Sequence, residues 1–387
     1  MRMRFFHISD LHIGKQLHHY NMIEEQREIL MQIVALAKKE CPDAILIAGD
    51  IYDSPMPSAE AVSLFDMFLT NLNALEYEPV VCIIAGNHDS AKRIDFASSI
   101  LAKHKVYIAG MPPMQPEQYI KQVVLKDIYG EVHIYLLPFV KPAYVRNLLD
   151  EDVSSYDAAV KGVLGRETID ATKRNILVSH QFYTASGIAP ETSDSEVHIV
   201  GGLENVDAEI LSAFDYAALG HIHKKQKSGE EKNRYCGTPL QYSVSEAGDE
   251  KTVTMVELLG KGSAPVITEL PLKPIRRVRK LVGTLEEVLA AADDKNCHDF
   301  ASITLTDEVE AYQPKTRLEQ VYDHILEIQI DNARTRKLLA FTEEEMQSLE
   351  PYEAFTTFFG EMNGRTMTEE ESLFMQEVVN QVKEAME

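Results

Sequence analysis

Seven side chains in this sequence suit a cation: Asp10, His12, Asp50, Asn87, His180, His221 and His223. Seven donors are too many for one ion and about right for two. Asp10/His12 and His221/His223 are i, i+2 pairs, which point to one side of an extended backbone. Asp50 is central in the order and is the candidate bridging carboxylate. The expected partition puts Asp10, His12, Asp50 and His223 on one ion, and Asp50, Asn87, His180 and His221 on the other. The donors are oxygen and imidazole, without thiolate. That disfavours structural zinc and suits manganese, iron or catalytic zinc. Two such cations, roughly 3.5–4 Å apart, clamp the attacking and leaving oxygens of a phosphate displacement and supply hydroxide near neutral pH.

His88 directly follows Asn87, so its side chain should diverge from the ligands. It is expected to stabilise developing phosphorane-like charge or to protonate the leaving oxygen. Asp53, three residues past Asp50, is the candidate carboxylate for holding His88 in one tautomer. Glycines precede Asp50, Asn87 and His221 and are expected to permit tight strand-to-loop turns.

Each block follows a short apolar run: residues 4–9, 44–48, 80–85, 175–179 and 216–219. Such runs read as buried strands, and loops at the carboxyl ends of strands form the ligand crevice of open α/β sheets. Residues 1–110 alternate strands (4–9, 44–48, 80–85, 105–109) with helices (22–39, 57–74, 91–103), which implies a parallel sheet with covered faces. A strand pair at 119–126 and 131–138 should turn at Tyr129-Gly130, followed by helices at 142–149 and 155–172. Strands 175–179, 215–219, 234–236, 251–258 and 264–271 are expected to complete a second sheet. The fold class is α/β: a two-sheet β-sandwich flanked by helices. The polar stretch 183–202 is long for an ordinary loop; a surface loop and a substrate-contacting loop both remain open for it.

The order D-x-H, GD-x-x-D, GNH-D, H, GH-x-H resembles the calcineurin-like metallophosphoesterases. Ile8–Lys15, Ile47–Asp53, Gly86–Ser90, Ser179–Phe182, Ala218–His223 and Gly237–Ser243 narrow the resemblance to the bacterial SbcD nuclease subunits. That resemblance covers essentially the whole chain. It implies a DNA exonuclease/endonuclease with two divalent ions, most simply Mn(2+), working with the coiled-coil ATPase SbcC in repair and recombination. It also implies a homodimer that forms a heterotetramer with the ATPase. In archaeal relatives the Asp53 position resembles histidine, so its role is carried over from the wider superfamily. The rival readings are a phosphoesterase on a non-DNA substrate and a non-catalytic repair scaffold.

The expected domains are a metallophosphoesterase nuclease domain over 1–273, a small α/β capping domain for DNA over 274–333, and a helical ATPase-binding segment over 334–387. The boundary falls at Lys273-Pro274. Beyond it come strand 276–282, a capping box at Thr284-Leu285-Glu286-Glu287 opening a helix to 292, strand 300–306, helix 314–324 and strand 325–330. Arg276, Arg277, Arg279 and Lys280 form a basic stripe that could meet phosphates. In the last segment Tyr352, Phe355, Phe358 and Phe359 share one helical face. Leu373, Phe374, Val378, Val379 and Val382 give a second.

The 387 residues carry 38 Lys+Arg against 61 Asp+Glu, a net charge of −23. That sign counts against nucleic acid, but bound cations supply local positive charge. The acidity is uneven, with twelve acids and two bases in residues 343–387. Cys41, Cys82, Cys236 and Cys297 contain no C-x-x-C pair, which disfavours zinc ribbons and fits a reducing cytoplasm. A catalytic strand from about residue 4 leaves no room for a signal peptide. No apolar run approaches the roughly 20 residues of a membrane span. Val62, Leu64, Phe65, Phe68, Leu69, Phe96, Ile100 and Leu101 exceed what one sheet face needs, and some are expected to pair across a dimer axis.

Overall fold

The computed structural model describes residues 2–149, 153–196, 204–309 and 312–333, and then 352–353, 355–356, 359 and 365–386. The chain divides into two compact units. One comprises Met1–Lys280, Asp294–Ser302 and Tyr322–Leu326; the other comprises Leu281–Asp293, Ile303–Val321 and Glu327–Glu387.

The first unit holds two six-stranded sheets. One runs, edge to edge, Val266–Pro271, Thr252–Leu258, Met3–Ile8, Ala44–Ala48, Val80–Ile84 and Val106–Ala109. The other runs Gln226–Ser228, Glu230–Tyr235, Tyr216–Gly220, Arg174–His180, Gly130–Leu137 and Lys121–Asp127. The apolar runs are continuous because both faces of each sheet are buried. Ala44, Leu46 and Ala48 face the inter-sheet core with Ile176, Val178, Tyr216 and Ala218. The alternate residues Ile45 and Ile47 pack instead against helices Ile23–Glu40 and Ala59–Asn73 through Ile29, Ile33, Leu64 and Phe68. Leu177, Ala217 and Leu219 do the same on the far face with Val160 and Val163 of helix Tyr156–Gly165.

Sheet membership differs from the expectation at one place. Thr252–Leu258 and Val266–Pro271 join the first sheet, not the second. Met3–Ile8 is bonded on one side by the parallel strand Ala44–Ala48. Its other edge is closed by antiparallel pairing from Met3↔Leu258 to His7↔Thr254. Pairing there leaves Val256 and Leu258 in the inter-sheet core and Val253 under the helices.

The helix expected at 91–103 is broken into Ala91–Ile94, Ser98–Leu101 and a 3-10 turn at Ala102–His104. Ala97 has left-handed backbone, φ 60°, which a right-handed helix cannot continue through. The helix expected at 155–172 ends at Gly165. Beyond it the Asp170 carboxylate accepts from Thr172 N and Oγ1, an Asx turn that competes with helix.

A three-stranded sheet runs Val278–Gly283, Phe300–Leu305, His324–Ile330. In the second unit the capping box at Thr284 and Glu287 opens helix Leu285–Ala290. Helix Pro314–Glu319 is shorter than expected. Much of segment 334–387, including Phe358, lies outside the described residues. Within it a helix spans Glu369–Met386, with Leu373 and Phe374 exposed.

Candidate metal centre

All seven nominated donors, with His88 and Asp53, lie at the carboxyl ends of strands Met3–Ile8, Ala44–Ala48, Val80–Ile84, Arg174–His180 and Tyr216–Gly220. The backbone there is unusual. Asp10, His12, Asp50 and His221 have φ of 53°, 42°, 49° and 97°. Left-handed backbone at a non-glycine residue costs on the order of 1–3 kcal/mol and gathers at functional sites. It persists here because fully buried strands over-determine the positions of the loops they feed. Asp10 N and His12 N donate to Gly49 O and Asp50 O, both at 3.0 Å, locking the first two loops together.

The glycines act differently from the expectation of tight turns. Gly49 does have positive φ, at 89°. Gly86 and Gly220 are required for space: a Cβ on Gly86 would lie 2.1 Å from Asp50 Oδ1, and one on Gly220 would lie 2.0 Å from Ala48 O.

His12 Nε2 and His223 Nε2 face each other at 3.1 Å. Asp50 Oδ2 lies 3.8 Å from His12 Nε2 and 3.2 Å from His180 Nε2. One carboxylate oxygen thus stands between the two histidine sets. Asn87 Oδ1 is 3.0 Å from His180 Nε2 and 2.9 Å from His221 Nδ1. Asp10 clusters both with His12 and His223 and with Asp50 and His180. Asp10, His12, Asp50, His180, His221 and His223 are buried, whereas Asn87 and His88 are half-buried. Acceptor atoms crowded this closely in a buried site fit divalent cations, and the oxygen and imidazole set fits manganese, iron or zinc.

Burial pushes the Asp10 carboxyl up to about 6. Burial opposes ionisation of Asp50 too, but His180 and His12 override it and hold that carboxyl well below the usual range. His180 is the complement: burial would lower it, yet the Asp50 charge raises it to about 9. Burial and the neighbouring His12 lower His223. Three carbonyl or hydroxyl oxygens orient the rings from behind. His180 Nδ1 meets Ala48 O at 2.7 Å, His223 Nδ1 meets Ser195 Oγ at 2.7 Å, and His88 Nδ1 meets Asp53 O at 3.1 Å.

That last contact corrects the role expected of Asp53. Its backbone carbonyl, not its carboxylate, meets His88. The Asp53 carboxylate is 2.8 Å from Lys15 Nζ and 3.4 Å from His12 Nδ1, a buried nitrogen that makes no hydrogen bond. Burial would raise the Asp53 carboxyl, but His12 and Lys15 bring it down to about 2.

Several neighbours escaped the sequence reading. Asp89 accepts from Ile51 N, Tyr52 N and Gly86 N at 2.9–3.0 Å, tying the second loop to the third. Burial, with the Asp50 charge adding, pushes its carboxyl up to about 6. Its place in the Gly-Asn-His-Asp block was the available signal. Ser195 and Glu196, from the polar stretch, contact His223, as Glu196 Oε1 accepts from His223 N at 2.6 Å. The basic stripe is partly spent internally: Arg276 pairs with Glu25, and Arg279 Nε meets Asp299 at 2.5 Å.

Comparison with known proteins gives consistent matches. Residues 3–225 match the calcineurin-like phosphoesterase family model. Residues 271–363 match the model described as type 5 capsule protein repressor C-terminal domain, SbcD_C. The SbcD component of nuclease SbcCD from Staphylococcus epidermidis is 32% identical over 329 residues, covering 84% of each chain. The Staphylococcus saprophyticus protein of the same name is 28% identical over 386 residues, 99% of each chain. A solved dimetal phosphatase from Danio rerio, 13% identical, covers 70% of this chain and 96% of its own at a TM-score of 0.40.

Proposed function

We propose, on the premise that this chain belongs to the calcineurin-like phosphoesterase family and within it to the SbcD nuclease subunits, that it cleaves duplex and hairpin DNA using two manganese ions. The chain is a metal-dependent phosphodiesterase of the nuclease type. The observation that carries the reading is Asp50 Oδ2, set 3.2 Å and 3.8 Å from histidines of two separate donor groups. Asp10, His12, Asp50 and His223 would hold one ion, and Asp50, Asn87, His180 and His221 the other. The chemistry such ions supply is Lewis-acid polarisation of a phosphodiester and a water nucleophile near neutral pH.

The chain's own groups do the rest. His88 stands edge-on to His12, ring centres 4.9 Å apart, and is half-buried among buried donors. It can therefore reach a substrate oxygen that the ligands, once committed to cations, cannot protonate. Its Nδ1 donates to Asp53 O, which leaves Nε2 for the substrate side in the neutral ring. Asp53 and Lys15 act on His12 instead, in the pattern of a carboxylate orienting a metal-bound imidazole.

The relatives' names supply the partner, an SbcC-like coiled-coil ATPase, with DNA as substrate. We assign the sequence domains 1–273, 274–333 and 334–387 to cleavage, DNA capping and ATPase docking. A homodimer carrying two ATPases is the assembly that goes with this. Cytoplasmic location is supported by four free cysteines at scattered positions, and no helix of the described residues is long and apolar enough to cross a membrane. Nuclease assays on linear duplex and hairpin DNA, with manganese and with or without the ATPase, test the reading. Cleavage that needs manganese and is stimulated by ATP is expected. Hydrolysis of small phosphodiesters with no action on either DNA would favour the non-DNA reading that the charge of −23 suggests.

A further inference from the structure

We propose that Ser195 and Glu246 are positioning residues of the metal centre, holding His223 in the tautomer that aims its Nε2 lone pair at an ion. The inference rests on the reading of His223 as a ligand. His223 Nδ1 is 2.7 Å from Ser195 Oγ, and Ser195 Oγ is 3.0 Å from Glu246 Oε1. A carboxylate accepts and does not donate, so the single Ser195 proton goes to Glu246. Ser195 Oγ is then an acceptor toward His223, Nδ1 carries the ring proton, and Nε2 is left with a lone pair. That Nε2 faces His12 Nε2 at 3.1 Å, where the opposite tautomer would drive a proton into another imidazole.

The relay is anchored in the interior. Glu246 is buried and accepts from Ser243 Oγ at 3.0 Å, Tyr242 N at 3.2 Å, Thr238 Oγ1 at 3.1 Å and Lys251 Nζ at 2.5 Å. Lys251, also buried, reaches His223 O at 3.3 Å. The same cation thus fixes both the backbone of His223 and, through Glu246 and Ser195, its ring. A buried ion pair is a weak source of stability because desolvation opposes it. Its directional bonds onto one ligand give it a different use. Ser193 Oγ, 2.9 Å from Ser195 Oγ, has a proton of its own to give. Had Ser195 donated to Ser193 instead, Glu246 would lose one of its donors.

The test uses the full chain. Long-range proton–nitrogen correlation on histidine-labelled, metal-free protein should show His223 protonated at Nδ1 in the parent and in Ser195→Thr. In manganese titration calorimetry Ser195→Ala and Glu246→Gln should each weaken binding by about 10–100-fold, as loss of a group behind a ligand does. Ser195→Thr, which keeps the hydroxyl, should bind close to the parent. The double variant should be little worse than either single one, because both cut one relay. If Glu246→Gln fails to fold, half-buried Ser195 decides alone. Parent-like binding by Ser195→Ala, or an Nε2-protonated ring in the parent, overturns the relay. His223→Ala separates the two layers: if it too binds like the parent, the ligand assignment has failed and the relay with it.

Discussion

His88 differs from the residues around it in one respect: it is accessible while the histidines beside it are buried. That separation makes binding and chemistry independently testable. His88→Ala should keep both ions and lower kcat by about 10²–10⁴-fold, the usual contribution of a positioned acid or base. Loss of metal in calorimetry would make His88 a ligand instead. His180 gives a pH prediction. Without metal its ring stays protonated up to about 9, because the Asp50 charge outweighs burial. Metal must displace that proton, so apparent affinity should rise with pH through the neutral range and flatten near 9. Below about 6, where Asp10 also protonates, the dependence should steepen. Titrations whose midpoints do not move with pH would contradict this. The donors were legible because Asp, His and Asn sat in compact blocks behind apolar runs. Ser195 and Glu246 were not, since they carry common residue types at positions far from His223 in sequence.

At the scale of the element, strands were readable and their partners were not. A buried strand declares itself by composition, but its sheet is chosen by whichever edge is open. Thr252–Leu258 went to the free edge of Met3–Ile8 for that reason. Loop geometry was equally hidden, because no residue type announces left-handed backbone at Asp10 or His221. Gly86→Ala should show how tightly these loops are built. Its Cβ would overlap Asp50, so manganese binding should fall sharply even if the fold survives, and unchanged affinity would mean the loop relaxes freely. The broken helix bears on assembly. Of the apolar residues nominated for a dimer, Leu64, Phe65 and Phe68 are core, while Phe96 is 80% and Ile100 63% exposed. Phe96→Glu should convert a dimer to monomer in sedimentation without altering metal affinity. A parent already monomeric at micromolar concentration would remove the dimer.

For the whole molecule, the uneven charge separates a catalytic body from an acidic end. Deleting 334–387 should leave metal-dependent cleavage of simple DNA ends intact and abolish association with the ATPase. Co-purification of the truncated chain with the ATPase at parental yield would refute the docking role, and loss of soluble protein would mark the segment as part of the core. The architecture was legible at this scale because five chemical blocks in one order require one crevice. The central claim is a two-ion site joined by Asp50. Anomalous diffraction at the manganese edge, on the parent and on Asp50→Ala, tests it most directly. Two peaks flanking Asp50 in the parent, both weakened or lost in the variant, are predicted. A single peak in the parent, or two at full occupancy in Asp50→Ala, would contradict it.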